Sequence, residues 1–286
     1  MTLETRRRIA LIVEYDGTGY RGFQTQSKRP TVQGELERGL QDLLGKYVKT
    51  HGAGRTDAGA HAWGQVVALT TNAGYPAAMY PRALNGVLPP DIRVTAAAEV
   101  GLDFDPRRSA RRRLYRYLVL NQPAPSALWG RFAYHVWAEL DLAAMAGAAE
   151  AFRGVRDYRA FCRASSLRRR DTVREVFSVK VWRQGQVVAV DMTANAFLPQ
   201  QARRIAGTLV RVGQGRLSGS AVLPLLEGTV EVSGGPALPA CGLYLMYVVY
   251  PEGILDISGP RGLQERGEPW PGLLDPGQGE PSWQQT

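Results

Sequence analysis

The stretch GAGRTDAGAHA at residues 52–62 contains the residue types best suited to chemistry in this sequence. Asp57 is a carboxylate among small residues, and Arg55 places a positive charge two positions before it. We expect that charge to keep the carboxylate ionised and able to act as a nucleophile or a base. The glycines allow a large ligand to approach the main chain, while Thr56 and His61 add polar groups. A lone Asp-Ala-Gly is more often a capped turn, but the complete stretch favours a catalytic loop.

Strand-like segments on both sides are expected to position this loop. A short segment at residues 47–51 comes before it, and the apolar run QVVALT at residues 65–70 follows. Asp57 is therefore predicted on a loop between two sheet elements, which would hold it out toward a cleft. The other predicted elements are strands at residues 9–16, from residue 92 and at 242–251, a hairpin at 172–193, and helices at 32–44, 78–87, 140–152, 196–215 and 222–226.

Composition and charge indicate the class of partner. The 286 residues carry a formal net charge of +9, which favours a polyanion, and 44% are hydrophobic, enough for a substantial core.

Cys162 and Cys241 predict neither a disulfide framework nor a zinc site, and the three histidines lack the spacing of metal ligands, so we expect no metal. No segment has the pattern of a signal peptide or the length of a membrane span, which makes the cytoplasm the expected location.

Arginines form two clusters in the sequence. In the stretch from Asp105 to Arg116, six arginines lie within ten consecutive residues. Their density without intervening acids favours phosphate binding over a solvated charged surface. The second cluster, residues 168–170, either contacts RNA or keeps a loop soluble, and the sequence favours neither.

The segment RLYRYLV alternates in a way that is typical of a β-strand. A period of two places Arg113, Tyr115 and Tyr117 on one face and Leu114 and Arg116 on the other. A tyrosine in such a strand usually packs against the core or a neighbouring strand. On the alternation alone, Tyr115 is therefore a packing residue.

Further motifs accompany the loop in a fixed order. They are YDGTGYRGFQ at residues 15–24, TVQGELE at 31–37, RRLYRYLV at 112–119, ANAFL at 194–198 and GLYLMYVVYP at 242–251. With GRTDAG at residues 54–59, this series resembles the tRNA pseudouridine synthase A family over roughly residues 8 to 251. Such a series is much more specific than one motif. One block departs from the family, because FLPQQARRIAG has Pro199 and Gln200 where two histidines are usual.

The resemblance implies roles for individual residues. Asp57 would be the catalytic aspartate, with Arg55, Thr56, Tyr115 and Arg203 as supporting residues. Tyr115 would stack on the target uracil, Arg203 would engage Asp57, and Arg55 would fill the gap left by an extruded base. The remaining residues would form a uracil-pocket wall, Leu243 and Leu245, and an RNA-binding set, Arg21, Arg107, Arg108, Arg111, Arg112, Arg113, Arg168 and Arg169.

The resemblance also implies a fold and an activity. The fold would be α+β, with two ferredoxin-like halves, residues 1–110 and 111–251, whose antiparallel sheets join around a basic cleft with helices on the outer faces. A Gly/Pro-rich, weakly ordered tail would follow at residues 252–286. The activity would be isomerisation of uridine to pseudouridine at positions 38, 39 and 40 of the tRNA anticodon stem-loop. No cofactor would be needed, and the enzyme would be a homodimer with tRNA across both subunits.

Three alternatives stay open at this point. The charge would also suit an RNA-binding module without catalysis, although the set of Arg55, Thr56, Asp57, Tyr115 and Arg203 argues against it. A metal-dependent nuclease would need clustered carboxylates or histidines, which the sequence does not show. A pseudouridine synthase that acts on another uridine is equally compatible with the composition. The route by which Asp57 would act, attack at C1′, addition to the ring or formation of a glycal, is also open.

Overall fold

The computed structural model describes residues 6–163, 171–228 and 235–255. Within these ranges ten strands form one sheet and five α-helices accompany it. The strands are β1 Arg7–Tyr15, β2 Thr50–Gly52, β3 His61–Thr71, β4 Ile92–Val100, β5 Arg112–Asn121, β6 Tyr134–Val136, β7 Gly154–Asp157, β8 Val173–Gln184, β9 Val187–Ala194 and β10 Leu243–Val249. The helices are α1 Val32–Leu44, α2 Met79–Asn85, α3 Leu142–Ala149, α4 Gln201–Gly213 and α5 Val222–Glu227.

The last strand joins the two parts of the sheet. The strand order is β4-β1-β3-β10-β5-β9-β8-β7, with β2 on β3 and β6 on β5. Neighbours along the main path are antiparallel, except that β3 and β10 are parallel. Helix α2 packs on β4, α3 on β8 and α4 on β5. The predicted α+β class with one joined sheet is confirmed, whereas the predicted boundary between residues 110 and 111 stays a prediction. Residues 256–286 of the predicted tail lie outside the described residues.

Helix α1 follows from capping and periodicity, as predicted. The Thr31 hydroxyl accepts a hydrogen bond from the Gly34 N–H at 3.2 Å, which satisfies one of the free amides of the first turn. Val32, Leu36 and Leu40 recur at helical spacing and are buried. The helix ends at Gly45, whose φ of 69° is the left-handed conformation favoured by glycine.

Helix α4 begins later than predicted. The sequence pattern predicts a start at Ala196, but the helix begins at Gln201. Pro199 is the reason, because proline lacks an N–H and disfavours the helical conformation in the residue before it. Gln200 then takes a left-handed conformation with a φ of 68°. The segment before α4 is thereby left as an irregular stretch that reaches the cleft described below.

Strand β5 shows the predicted alternation. Tyr115 and Tyr117 belong to the main core, whereas Leu118 and Leu120 belong to a smaller apolar cluster on the opposite face of the sheet. Each face of this strand therefore packs against different residues. The predicted hairpin is also present as β8 and β9, which pair antiparallel across a turn that contains Gly185, with a φ of 56°.

Candidate active site

Asp57 lies on the loop between β2 and β3, as predicted, and its described ion-pair partner is Arg203 of α4. Arg203 Nη1 donates to Asp57 Oδ2 at 2.7 Å, and Arg203 Nε donates to the Leu238 carbonyl at 2.6 Å. The side chain of Asp57 is 38% exposed and that of Arg203 is 16% exposed. Arg55 is exposed and lines the same cleft as Asp57, and its predicted effect on the charge of Asp57 stays a prediction.

The backbone of the loop packs closely against the segment after β1. The Phe23 N–H donates to the Thr56 carbonyl at 3.2 Å, and the Gly59 N–H donates to the Tyr20 carbonyl at 3.3 Å. Gly22 has a φ of 94°, and a methyl group there would lie 2.8 Å from the Thr56 carbonyl oxygen. Only glycine combines this conformation with this approach. The YDGTGYRGFQ motif therefore supports the loop from one side.

Tyr115 lies beside the loop, on the cleft side of β5. It is 6% exposed, and its ring meets Phe197 edge-on with centroids 4.9 Å apart. A methyl group at Gly54 would lie 3.1 Å from the Tyr115 hydroxyl oxygen and 3.7 Å from a methyl of Leu245. Burial raises the pKa of Tyr115 to about 12, with a smaller contribution from the nearby Asp57 carboxylate. Tyr115 is therefore a neutral hydroxyl beside Gly54.

A cleft with a volume of about 570 Å³ contains Asp57 and Tyr115. Leu243 lines it, whereas Leu245 is fully buried behind Gly54. Seven cationic and two anionic side chains border the same cleft: Lys49, Arg55, Arg107, Arg108, Arg113, Arg174 and Arg203, with Asp57 and Asp105. The electrostatic field of the cleft therefore favours a polyanion.

Two cationic residues of the cleft were not predicted from the sequence. Lys49 is a lone lysine just before β2, and Arg174 lies on β8, far from the loop in the chain. Neither belongs to an arginine cluster or to one of the motifs. Arg174 is brought to the cleft only by the fold, whereas Lys49 lies in the short segment that leads into the loop, so its position next to the loop was the available signal.

Arg113 borders the cleft, but its guanidinium is used inside the protein. It is 6% exposed, and it donates to the carbonyls of Ala53 at 3.1 Å, Asn195 at 2.6 Å and Arg107 at 2.7 Å. Burial lowers the pKa of Arg113. The geometry connects the loop that carries Asp57 to the segment after β9, and the RNA-binding role expected for this arginine stays a prediction.

Other predicted RNA-binding arginines are not brought to the cleft. Arg21, Arg111 and Arg112 are exposed and are not among its lining residues. Arg112 lies on the opposite face of the sheet, where its guanidinium carbon is 4.7 Å from the centre of the Phe177 ring. Arg168 and Arg169 lie outside the described residues.

Arg116, also part of the dense arginine run, has an internal partner. Its Nε donates to Asp191 Oδ1 at 2.7 Å, and its Nη2 donates to Asp191 Oδ2 at 2.9 Å. Trp182 Nε1 donates to the same carboxylate at 3.0 Å. No acid lies between Arg107 and Arg116 in the sequence, but β9 supplies one. A phosphate-binding interpretation of the whole run therefore does not hold for Arg116.

His61 packs behind the loop. It is 1% exposed, its Nδ1 accepts from the Gly17 N–H at 3.1 Å, and its Nε2 lies 3.0 Å and 3.1 Å from the carbonyls of Arg131 and Cys241. The Gly17 contact fits a neutral ring with the proton on Nε2, whereas Asp16 Oδ1, 3.2 Å from Nδ1, favours the protonated ring. Burial lowers the pKa of His61, although Asp16 opposes the shift. His61 is not among the residues that line the cleft.

Residues 6–163, 171–228 and 235–255 contain neither a cluster of metal ligands nor a membrane-spanning helix. No three His, Cys, Asp or Glu side chains converge there in a way that suits a metal ion. None of the helices in those ranges is long and apolar enough to cross a membrane.

A carboxylate held by an arginine at a cationic cleft suits an enzyme that acts on a polyanion. Comparison with known proteins identifies the family. A family described as tRNA pseudouridine synthase matches residues 11–107 and 148–251. The tRNA pseudouridine synthase A of Caldicellulosiruptor bescii is 41% identical over 244 residues, which cover 85% of this chain and 100% of the relative. The protein of the same name from Geobacter sp. strain M21 is 42% identical over 247 residues, covering 86% and 100%. The chain therefore belongs to the tRNA pseudouridine synthase family, and the resemblance seen in its motifs is confirmed.

Proposed function

We propose that this protein isomerises uridine to pseudouridine in the anticodon stem-loop of tRNA, at the conventional positions 38, 39 and 40, with Asp57 as the catalytic residue and without a cofactor. The observation that carries the proposal is the Asp57 carboxylate, which is held by Arg203 at 2.7 Å beside Tyr115 in a cationic cleft. Family membership and the names of the relatives support tRNA as the substrate. The motif resemblance supports the choice of the anticodon stem-loop.

The reaction exchanges one bond for another within the same nucleotide. The bond from C1′ to N1 breaks, the uracil turns, and C1′ bonds to C5. C5 loses its hydrogen as a proton and N1 gains one, so no atom or electron is added overall. The protein must therefore supply a carboxylate, a place for the base to turn and a route for one proton.

The geometry leaves one oxygen of Asp57 available for this chemistry. Arg203 donates to Oδ2, and Oδ1 has no hydrogen-bond partner among the described residues. The side chain is 38% exposed toward the cleft, so a nucleotide can reach it. An ionised Oδ1 suits attack at C1′, addition to the ring or proton removal from the sugar equally. The proposal covers the role of Asp57 and leaves these three routes open.

The target base must leave its stack before Asp57 can reach the sugar. Extrusion costs a few kcal/mol, and stacking on an aromatic ring returns about 1 to 3 kcal/mol per base. Tyr115 supplies the ring next to the loop, with Leu243 as a wall of the same cleft. Arg55 is exposed and makes no ion pair in the described ranges, which leaves its guanidinium free to fill the gap in the stem.

We assign the contacts to the RNA backbone to cationic side chains at the rim of the cleft. Lys49, Arg107, Arg108 and Arg174 line it. Asp105 Oδ1 accepts the backbone N–H groups of Arg107 and Arg108 at 2.8 and 2.9 Å, so it shapes this turn and leaves both guanidinium groups unengaged by it. Cationic side chains on a rim recognise the shape and phosphates of a stem more than its sequence, which suits action at neighbouring positions. In line with the resemblance, the proposal includes a homodimer with tRNA across both subunits.

The test is release of tritium into water from a tRNA transcript labelled at C5 of uridine. Native protein is compared with Asp57→Asn and with Asp42→Asn, which alters an exposed carboxylate on α1. We expect release by the native protein and by Asp42→Asn, and loss of release in Asp57→Asn while tRNA binding persists. Mapping of the product then tests positions 38, 39 and 40. Binding of tRNA without release by the native protein would contradict the proposal and favour a binding module or another RNA substrate.

A further inference from the structure

Gln65 is a buried glutamine of β3 whose side chain hydrogen-bonds the loop that carries Asp57. It has no exposed surface. Its Oε1 accepts the Gly54 N–H at 3.2 Å, and its Nε2 donates to the Gly54 carbonyl at 2.7 Å. One amide thus satisfies both backbone groups of one loop residue. β3 pairs with β1 on one side, where Gln65 lies opposite Val13, so the side chain projects from a fixed strand.

A second buried contact holds the residue before Asp57. The Tyr15 hydroxyl of β1 lies 2.8 Å from Thr56 Oγ1. Burial raises the pKa of Tyr15, so its hydroxyl stays protonated. The loop is therefore held on both sides of Arg55, at Gly54 by Gln65 and at Thr56 by Tyr15.

We propose that Gln65 is a positioning residue for the reaction: it fixes the backbone of Gly54 and through it the Asp57 carboxylate. This inference rests on the proposed function. Gly54 faces the Tyr115 hydroxyl at close range, so a shift of Gly54 changes both the approach of the base and the direction of Asp57. Misplacement of a reacting group by about 1 Å can cost about 100-fold in rate, so a residue that never touches the substrate can control the chemical step.

The experiment compares Gln65→Leu with Asn121→Leu. Asn121 is a matched control, because it is 7% exposed and its Nδ2 donates to the carbonyls of Val136 at 3.0 Å and Ala138 at 2.7 Å, away from the cleft. Three quantities are measured: the single-turnover rate of tritium release with saturating enzyme, the dissociation constant for tRNA, and amide hydrogen exchange of the peptide that contains Gly54. Thermal unfolding defines a temperature at which both variants are folded.

We expect both variants to unfold at lower temperature, because each loses buried hydrogen bonds. Only Gln65→Leu should slow the single-turnover rate, by about 10-fold or more, with a change in tRNA affinity below about threefold. Its Gly54 peptide should exchange faster than in the native protein and in Asn121→Leu. An unchanged rate in folded Gln65→Leu, or unchanged exchange at Gly54, would overturn the proposal. So would an equal loss of rate in Asn121→Leu.

A second variant covers the case in which Gln65→Leu does not fold. Glutamic acid is similar in size, and its neutral carboxyl has one donor and one acceptor for Gly54, whereas its ionised form has no donor. The rate of Gln65→Glu relative to native should therefore fall as the pH rises, and a ratio independent of pH and close to one would overturn the proposal. If the native protein releases no tritium, the proposed function fails and the positioning role fails with it. The exchange experiment would still show whether Gln65 holds Gly54.

Discussion

Replacement of Arg203 by methionine is the sharpest test of the geometry around Asp57. The change removes the hydrogen bond from Nη1 to Asp57 Oδ2, 2.7 Å long, while it keeps an unbranched side chain of similar length on α4. A hydrogen bond to a charged group contributes about 1.5–3 kcal/mol. Because the Asp57 side chain is 38% exposed, the lower part of that range, about 1.5–2 kcal/mol, is appropriate.

This free energy corresponds to a fall in the single-turnover rate of about 10- to 30-fold. The assay is tritium release from C5-labelled tRNA with enzyme in excess, and tRNA affinity is measured in parallel. Arg203→Lys should lie between native and Arg203→Met, because a single ammonium keeps the charge but replaces a fork that serves both Asp57 and the Leu238 carbonyl. Arg211→Met, in the last turn of the same helix, is the control for loss of a positive charge. A rate for folded Arg203→Met within threefold of native would refute the assignment of Arg203 as the residue that orients Asp57.

Two further predictions concern RNA binding and stability. Lys49→Met and Arg174→Met should each reduce the slope of log affinity against log salt by about 0.7 to 1, which is the contribution of one phosphate contact. Arg112→Met, on the opposite face of the sheet, should leave the slope unchanged. Equal slopes in the native protein and all three variants would contradict this prediction. His61 has a pKa below its ordinary value of 6.5, so the unfolded chain binds a proton that the folded protein does not, and stability is lost as the pH falls below 6.5. The unfolding temperature of the native protein should therefore drop more than that of His61→Asn between about pH 7 and pH 5, and equal drops would refute a neutral, buried His61.

Local chemistry explains why parts of the fold could be predicted. The Thr31 cap, the spacing of Val32, Leu36 and Leu40, and the alternation along β5 are each set by residues close in sequence. The alternation along β5 also predicts the face of the sheet on which each arginine of the strand lies, because it places Arg113 on the face of Tyr115 and Arg112 on the other face. The interpretation of the whole run as one phosphate-binding surface ignored this.

Contacts between distant residues were beyond local reasoning. Asp57 and Arg203 are 146 positions apart, and only the family resemblance indicated that they meet. Asp191 neutralises Arg116 across β5 and β9, a pairing that depends on strand register. Arg174 reaches the cleft through the order of strands in the sheet. For Asp191 and Arg174 the missing information is which strands are neighbours, which the hydrophobic pattern of one strand does not contain.

The parallel pairing of β3 with β10 explains why the site lies where it does. The paired residues are Tyr244 with His61 and Leu245 with Ala62, at the end of β3 that follows the loop with Asp57. A methyl group at Gly64 would lie 2.5 Å from the Met246 carbonyl oxygen, so the close approach of the two strands depends on glycine at this position. β10 also pairs with β5, which carries Tyr115, so it sets the distance between the strand that presents Asp57 and the strand that presents Tyr115. The residues proposed for catalysis thus come from the two sides of β10. The pairing of β10 with β3 and β5 determines whether these residues can act on the same nucleotide.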